Sequence, residues 1–320
     1  MRTIVQAGAR LHLGFLDLNG GCGRRFGSIG VSLERPQCTV EAAPAPDRAT
    51  ETAEPVRDIL ERLGPYLGDG PVRVRLTEAI PSHAGFGSGT QHALAVAVAA
   101  TRAAGRPAPV RALARRLGRG QRSGIGIAAF ERGGLVIDAG HSVDVALQPT
   151  DGPEPAPVVF QQPLPDAWHF VLATPRATPG LSGATEQRAF RDLPPMDEER
   201  VGRICRLTLV QVAPAVLTAD IRAFGAAITE IQELVGEYFA PCQGGRFASR
   251  TGCEIADLAI ARGAHGVGQS SWGPTVFALV ESAARAGALA DEIRRAFGSD
   301  LARIDVSRAR NHGASCREIP

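Results

Sequence analysis

The sequence predicts an α+β fold of two lobes, and three observations carry that prediction. Residues 72–104 read in succession as a strand, a glycine-dense loop and a helix. The first half carries further strand-like runs that suggest a mixed sheet, and a segment rich in Pro, Asp and Gln over residues 150–166 marks a seam, dividing the chain into lobes of 1–155 and 156–320. Beyond the seam the chain turns mainly helical.

Short strands are expected at Thr3–Val5, Leu11–Phe15 and Thr39–Glu41. Val72, Val74 and Leu76 alternate with Arg73, Arg75 and Thr77, the period of a half-buried strand, and Pro81 stops it. The loop Pro81–Thr90 follows, then an Ala-rich helix over Gln91–Ala104. Leu135–Asp138 and Val143–Leu147 read as strands joined by a turn at Gly140 and His141, and His169–Ala173 reads as another. Helices are expected over Glu198–Leu217, Asp220–Tyr238 and Cys253–Arg262, where Phe224, Ile228, Ile231 and Leu234 recur near helical period. The last segment reads as strand (Thr275–Val280), helix (Ala283–Phe297) and strand (Arg303–Val306). Aromatic residues make up only 5% of the 320, so Ala, Val, Leu and Ile must fill the core, and 37 Gly with 23 Pro imply many turns.

Composition removes several function classes. The chain contains no lysine, so all 35 basic residues are arginine. Pyridoxal phosphate chemistry, which needs a lysine Schiff base, and a Walker-type ATPase, which needs a phosphate-binding lysine, are therefore both excluded. Net charge is +2, and the one dense basic stretch, Arg111–Arg122, lacks interleaved aromatics, so nucleic acid is not the expected partner. The longest apolar run, Ala93–Ala100, is far short of the ~20 residues of a membrane span. Six cysteines without C-x-x-C spacing and an N-terminus without a signal segment lead us to expect reduced thiols and a cytoplasmic protein. The seven histidines are scattered without helical ligand spacing, so zinc is not expected.

The strongest motif is the loop Pro81–Gln91. Its glycines let backbone N–H groups approach an anion, and the following helix presents its positive end. A tight turn that merely starts a helix would look the same locally. The pattern Pro81-x3-Gly85-x-Gly87-Ser88 resembles the second signature of the GHMP superfamily, whose kinases wrap ATP phosphates with such a loop. Ala9–Asp17 resembles the N-terminal motif of that superfamily, and Gly266–Leu279 its C-terminal glycine loop and strand. The resemblance implies a GHMP-kinase-like two-lobed fold, with an N-terminal ribosomal-S5-domain-2-like lobe and a C-terminal ferredoxin-like lobe. Two departures weaken a kinase reading. Gly89 stands where the kinases carry a second serine, and Gly126 stands where many carry a catalytic aspartate, which a glycine cannot replace as a base.

The wording of four segments is similar to the β-ribofuranosylaminobenzene 5'-phosphate synthase family of methanopterin biosynthesis: Arg10–Gly20, Gly87–Gln91, Ser123–Glu131 and Gly268–Thr275. Pro179–Glu186 and Arg310–Ala314 also match its pattern. That resemblance implies a pentosyltransferase that joins phosphoribosyl pyrophosphate to 4-aminobenzoate or 4-hydroxybenzoate with loss of CO2 and pyrophosphate, aided by Mg2+ and working as a homodimer. The ring can accept the electrons freed with CO2, so a protein without lysine suffices.

Candidate catalytic residues are Arg10, His12, Asp17 and His83, with Asp17 also the candidate Mg2+ ligand. Candidates for holding substrate and phosphate are Gly85, Gly87, Ser88, Gly89, Thr90, Gln91, Ser123, Gly124, Gly268, Gln269, Ser270, Ser271 and Trp272. Several have a structural alternative: N-capping for Ser88, Thr90 and Gln91, a plug at the lobe junction for Trp272, a solvated strand end for Arg10 to Asp17, an exposed loop histidine for His83. Glu186 reads as a base or a helix cap, and Cys22 as a small turn residue. Alternative functions are an ATP-dependent small-molecule kinase of the same fold and a non-catalytic sensor of a phosphorylated metabolite.

Overall fold

In the computed structural model, which describes residues 2–45, 54–68, 70–144, 154–176 and 183–320, eleven strands form two antiparallel sheets. The strands are β1 (Arg2–Asp17), β2 (Arg24–Pro44), β3 (Val72–Glu78), β4 (Leu135–Asp138), β5 (His141–Ser142), β6 (Val158–Gln162), β7 (His169–Pro175), β8 (Gly266–Gln269), β9 (Val276–Val280), β10 (Leu301–Arg308) and β11 (Ser315–Ile319). The helices are α1 (Glu54–Arg62), α2 (Gly64–Leu67), α3 (Ser88–Ala103), α4 (Val110–Arg116), α5 (Ile125–Glu131), α6 (Gly183–Asp192), α7 (Glu198–Leu207), α8 (Ala213–Leu217), α9 (Ile221–Gln243), α10 (Arg250–Ala261) and α11 (Ala283–Phe297). A π-helical turn over Thr208–Val212 joins α7 to α8.

The first sheet runs β11-β1-β2-β4-β6, with β3 and β5 also paired to β2. The second runs β10-β7-β9-β8. This is the two-lobed α+β architecture the sequence predicts. The last strand, β11, returns to pair with β1, and β6 pairs with β4, so both lie in the first sheet.

Local pattern explains the packing. Val5, Ala7, Ala9, Leu11, Leu13 and Phe15 alternate along β1 and all are buried, the period-two signature of a strand with one face in the core. Helix α3 lies on β1 and β2 and buries Ala93, Ala95, Ala97, Ala99 and Ala100, whose small side chains let helix and sheet pack closely without aromatics. In the second sheet the alternation divides two cores. Phe170, Leu172, Phe277 and Leu279 join the large cluster that also holds Leu11, Phe86 and Leu94, whereas Val171, Ala173, Val276 and Ala278 join a smaller cluster with α10 and α11. One continuous core therefore spans both lobes.

Some elements differ from expectation. Thr3–Val5 and Leu11–Phe15 belong to one strand, kept paired to β2 across register shifts between Gly8 and Arg10 and between His12 and Gly14. Such bulges re-aim side chains, and Arg10 to His12 lie between the two. The strand expected at Val143–Leu147 is replaced by the two-residue β5; Val143 and Asp144 form a turn, and Val145–Leu147 lie outside the described residues. The region read as a seam contains β6, masked in the sequence by Pro157 and Pro163 on its flanks. Helix α3 starts at Ser88, three residues before the expected Gln91, and α9 continues through Pro241 to Gln243. No helix among the described residues is long and apolar enough to cross a membrane.

Candidate active site

The loop between β3 and α3 is fixed by two glycines that no other residue could replace without displacement. Gly85 has φ +85° and Gly87 φ +68°, the left-handed region in which a Cβ is disfavoured. A Cβ on Gly85 would stand 2.4 Å from the Ser270 carbonyl oxygen, and one on Gly87 2.8 Å from Arg10 Nε. The loop is thus pressed against two other segments. Arg10 N–H donates to the Phe86 carbonyl at 3.0 Å, and Arg10 Nη1 donates to the Gly85 carbonyl at 2.8 Å. Ser270 Oγ donates to the same Gly85 carbonyl at 2.8 Å and accepts from the His12 N–H at 3.0 Å. A single buried hydroxyl therefore ties the glycine loop, β1 and the loop after β8 together.

Helix α3 begins at this junction, and no side chain caps its first turn. Its N–H groups and positive dipole end face a cleft with about 600 Å³ of space, lined by the loop, by α1, and by Ser271 to Gly273. Three guanidinium groups reach that cleft, from Arg10, Arg62 and Arg119. Burial lowers Arg10 to about 10, an effect that the Glu186 carboxylate partly offsets, so the group stays cationic at neutral pH. Burial, reinforced by Arg62, also lowers Arg119, whose Nε is buried with no hydrogen-bond partner among the described residues. An uncapped helix start beside three guanidiniums concentrates positive charge and free N–H donors, the chemistry that a polyanion would use.

Glu186 on α6 closes one wall. Its Oε1 accepts from Trp272 Nε1 at 3.1 Å and its Oε2 from Arg122 at 2.8 Å, while Arg122 stacks 5.0 Å above the Phe190 ring. Both of its carboxylate oxygens are thus engaged in the wall.

The structure gathers His83, Gly85, Gly87, Ser88, Gly89, Thr90, Arg10, Ser271 and Trp272 around the cleft. Other candidates lie elsewhere, for identifiable reasons. Gln91 is buried and donates to the Gly126 carbonyl at 2.8 Å, so it braces α3 rather than facing the cleft. Ser123 and Gly124 start α5: Ser123 Oγ accepts from Ile125 N–H at 3.3 Å, and Gly124 N–H donates to Asp138 at 2.9 Å. Gly268 is in β8, where a Cβ would strike Gln232, and Gln269 accepts from Ala248 N–H at 2.7 Å. Asp17 does not fit a metal ligand: its Oδ1 accepts from the N–H groups of Asn19 at 2.7 Å and Gly20 at 2.8 Å, which locks the turn between β1 and β2. Among the described residues no group of three His, Cys, Asp or Glu is placed to hold a metal ion. Gly126, at the position of the kinase aspartate, faces Thr90, with a Cβ 3.1 Å from its methyl. Of the Pro179–Glu186 segment, residues 179–182 lie outside the described residues.

His12 lies behind the cleft rather than in it. It is 4% exposed, and burial, reinforced by Arg10 and Arg122, holds it well below its ordinary 6.5, so the imidazole is neutral. Arg119 and Arg62 escaped the sequence reading. Arg119 is part of the basic stretch 111–122, but nothing in the pattern says which of its arginines turns toward the loop.

The comparisons with known proteins concern the family and the fold. The family described as GHMP kinases N terminal domain matches residues 53–134, and that described as GHMP kinases C terminal matches residues 212–299. The chain is similar over 99% of its length to the crystal structure of a homoserine kinase from Cytophaga hutchinsonii, with TM-score 0.71, 18% identity and 97% of that chain covered. It is also similar to mevalonate diphosphate decarboxylase from Staphylococcus aureus, with TM-score 0.67, 16% identity and 99% and 98% coverage of the two chains. These likenesses concern the fold. Closer in sequence are proteins named β-ribofuranosylphenol 5'-phosphate synthase. That of Archaeoglobus fulgidus is 35% identical, covering 95% of this chain and 96% of its own, and that of Methanothermobacter thermautotrophicus is 32% identical with 98% of each covered. The chain belongs to the GHMP superfamily and, within it, to the family of β-ribofuranosylphenol 5'-phosphate synthases.

Proposed function

We propose that this protein joins phosphoribosyl pyrophosphate to 4-hydroxybenzoate or 4-aminobenzoate, forming a C-riboside 5'-phosphate with release of CO2 and pyrophosphate in methanopterin biosynthesis. The observation that carries the reading is the uncapped start of α3 set beside Arg10, Arg62 and Arg119, a cleft built for a ligand with more than one phosphate. The names of the relatives favour the phenolic acid as acceptor.

In the proposed step the bond from ribose C1' to the pyrophosphate oxygen breaks, its electron pair leaving with pyrophosphate. The ring carbon that bears the carboxylate attacks C1' and forms the new C–C bond. The bond to the carboxylate then breaks, its pair restores aromaticity, and CO2 departs. No protein amine takes part, which suits a chain without lysine. The residues supply placement and charge: the α3 amides and guanidiniums hold the leaving diphosphate and stabilise the charge that grows on it. Mg2+ enters the proposal as an ion arriving on the diphosphate, with no protein ligand assigned.

Carboxyl-labelled acid should release labelled CO2 in equal amount with pyrophosphate, and only when the ribosyl donor is present. Release without donor, or ATP-dependent ADP formation with no release, would sink the proposal.

A further inference from the structure

Behind Trp272 lies a narrow recess whose character differs from that of the cleft. Its walls include the aromatic rings of Phe15, Phe239 and Trp272 together with Val235 of α9, and it shares Ser271 and Trp272 with the cleft. Its glutamines are satisfied within the protein. Gln232 donates to Leu13 O at 2.7 Å and accepts from Gln269 N–H at 2.7 Å, while Gln243 donates to Gly245 O at 3.0 Å and accepts from Gln269 Nε2 at 3.3 Å. His12 also lines the recess, and its Nε2 is buried with no partner among the described residues. An orphaned buried nitrogen is costly unless something it binds is missing.

We propose that this recess is the subsite for the aromatic acid, with the ring between Phe239 and Trp272 and its para hydroxyl or amino group bonded to His12 Nε2. The inference rests on the reading given above. Three arguments support it. Flat aromatic walls favour an aromatic ligand over a sugar or a phosphate. The shared wall at Ser271 and Trp272 places a ring in the recess beside a donor in the cleft, as formation of a bond between them requires. The chemistry also suits a neutral imidazole. As the ring attacks C1', positive charge spreads to the para oxygen or nitrogen, and a hydrogen bond donated from there to His12 Nε2 strengthens as that charge develops.

The recess has about 30 Å³ of space with the side chains as they stand, enough for one water. Entry of a ring therefore parts Phe239 from Trp272, whose centroids are 4.4 Å apart. Trp272 is tethered to Glu186 on the cleft side, so one indole forms the wall between cleft and recess.

Two variants and one binding measurement test the subsite. Val235→Phe fills the recess from α9 and should raise the KM for the acid by about tenfold or more while the KM for phosphoribosyl pyrophosphate stays within about twofold. His12→Asn should reduce the preference for 4-hydroxybenzoate over benzoate, read as a ratio of dissociation constants from quenching of Trp272 fluorescence in a Trp168→Phe background, by about tenfold. That ratio decides the matter should Val235→Phe fail to fold. Turnover with both variants at unchanged acid KM and unchanged ratio would place the acid elsewhere and leave the reaction standing. Recess binding with both predicted shifts, but no product from the wild type, would uphold the subsite and refute the reaction.

Discussion

The cleft and the recess lie on two sides of Trp272, and they satisfy their polar groups in opposite ways. In the cleft, α3 begins without a side-chain cap and Arg119 Nε has no partner among the described residues, so hydrogen-bonding capacity is left open there. In the recess the glutamine amides bond one another and the backbone, and His12 Nε2 is the one buried side-chain nitrogen of its lining left without a partner among the described residues. A wide opening with unspent donors suits a polyanion, and a closed aromatic slot with one unspent nitrogen suits a small ring. The difference teaches that one tryptophan can divide a polar, arginine-rich opening from an aromatic recess within a single fold.

The comparison is broken most severely at Gly87. Gly87→Val forces a β-branched residue into φ +68° and displaces Arg10, and kcat/KM for the donor should fall by about 100-fold or more while the acid still binds. A parallel loss of acid binding would show that the two regions are not separable. Arg119→Gln should raise the donor KM by about tenfold, and the remaining activity should depend less on salt. Equal salt dependence in variant and wild type would remove Arg119 from the anion site. Asp17→Ala tests the assignment of that carboxylate to a turn: chemical denaturation should show a loss of about 2 kcal/mol, from two amides left without their acceptor, with donor KM unchanged.

The smallest effect concerns His12 and pH. The native state keeps this imidazole neutral well below 6.5, whereas the unfolded chain protonates it near 6.5, so the unfolded state binds more protons in mild acid and stability falls as pH drops through that value. Asp138 acts in the opposite sense. Burial raises it to about 6, so below that pH the native state takes up a proton that the unfolded chain does not bind until nearer 3.8. His12→Asn should therefore flatten the acid side of the stability profile, leaving the part due to His92 and His141, which burial also lowers. An unchanged profile would mean that His12 is not held neutral.

Much of this architecture was legible in residue order. The alternation at Val72 to Leu76, the glycine loop and the Ala-rich run give strand, loop and helix, and Gly85 and Gly87 mark the close approach that the structure then shows. Residue type alone did not separate a ligand-facing group from a brace. Gln91 and Thr90 are neighbours in the same motif and both meet Gly126, yet Gln91 is buried and spent on the Gly126 carbonyl while Thr90 also lines the cleft. Asp17 stands before Asn19-Gly20, a turn pattern with its own use for a carboxylate, and its place in the Arg10–Gly20 segment that resembles the family is what marks it as a catalytic candidate. Arg62 and Arg119 reach the loop from separate segments, and no local spacing encodes such a meeting.

Calorimetric titration of phosphoribosyl pyrophosphate into wild-type protein and into Gly87→Val, with no aromatic acid present, addresses the anion cleft directly. Saturable binding to the wild type and its loss in a variant that keeps its circular dichroism and still binds 4-hydroxybenzoate is the result expected of a donor held at the start of α3. Equal donor affinity in the two proteins would contradict it.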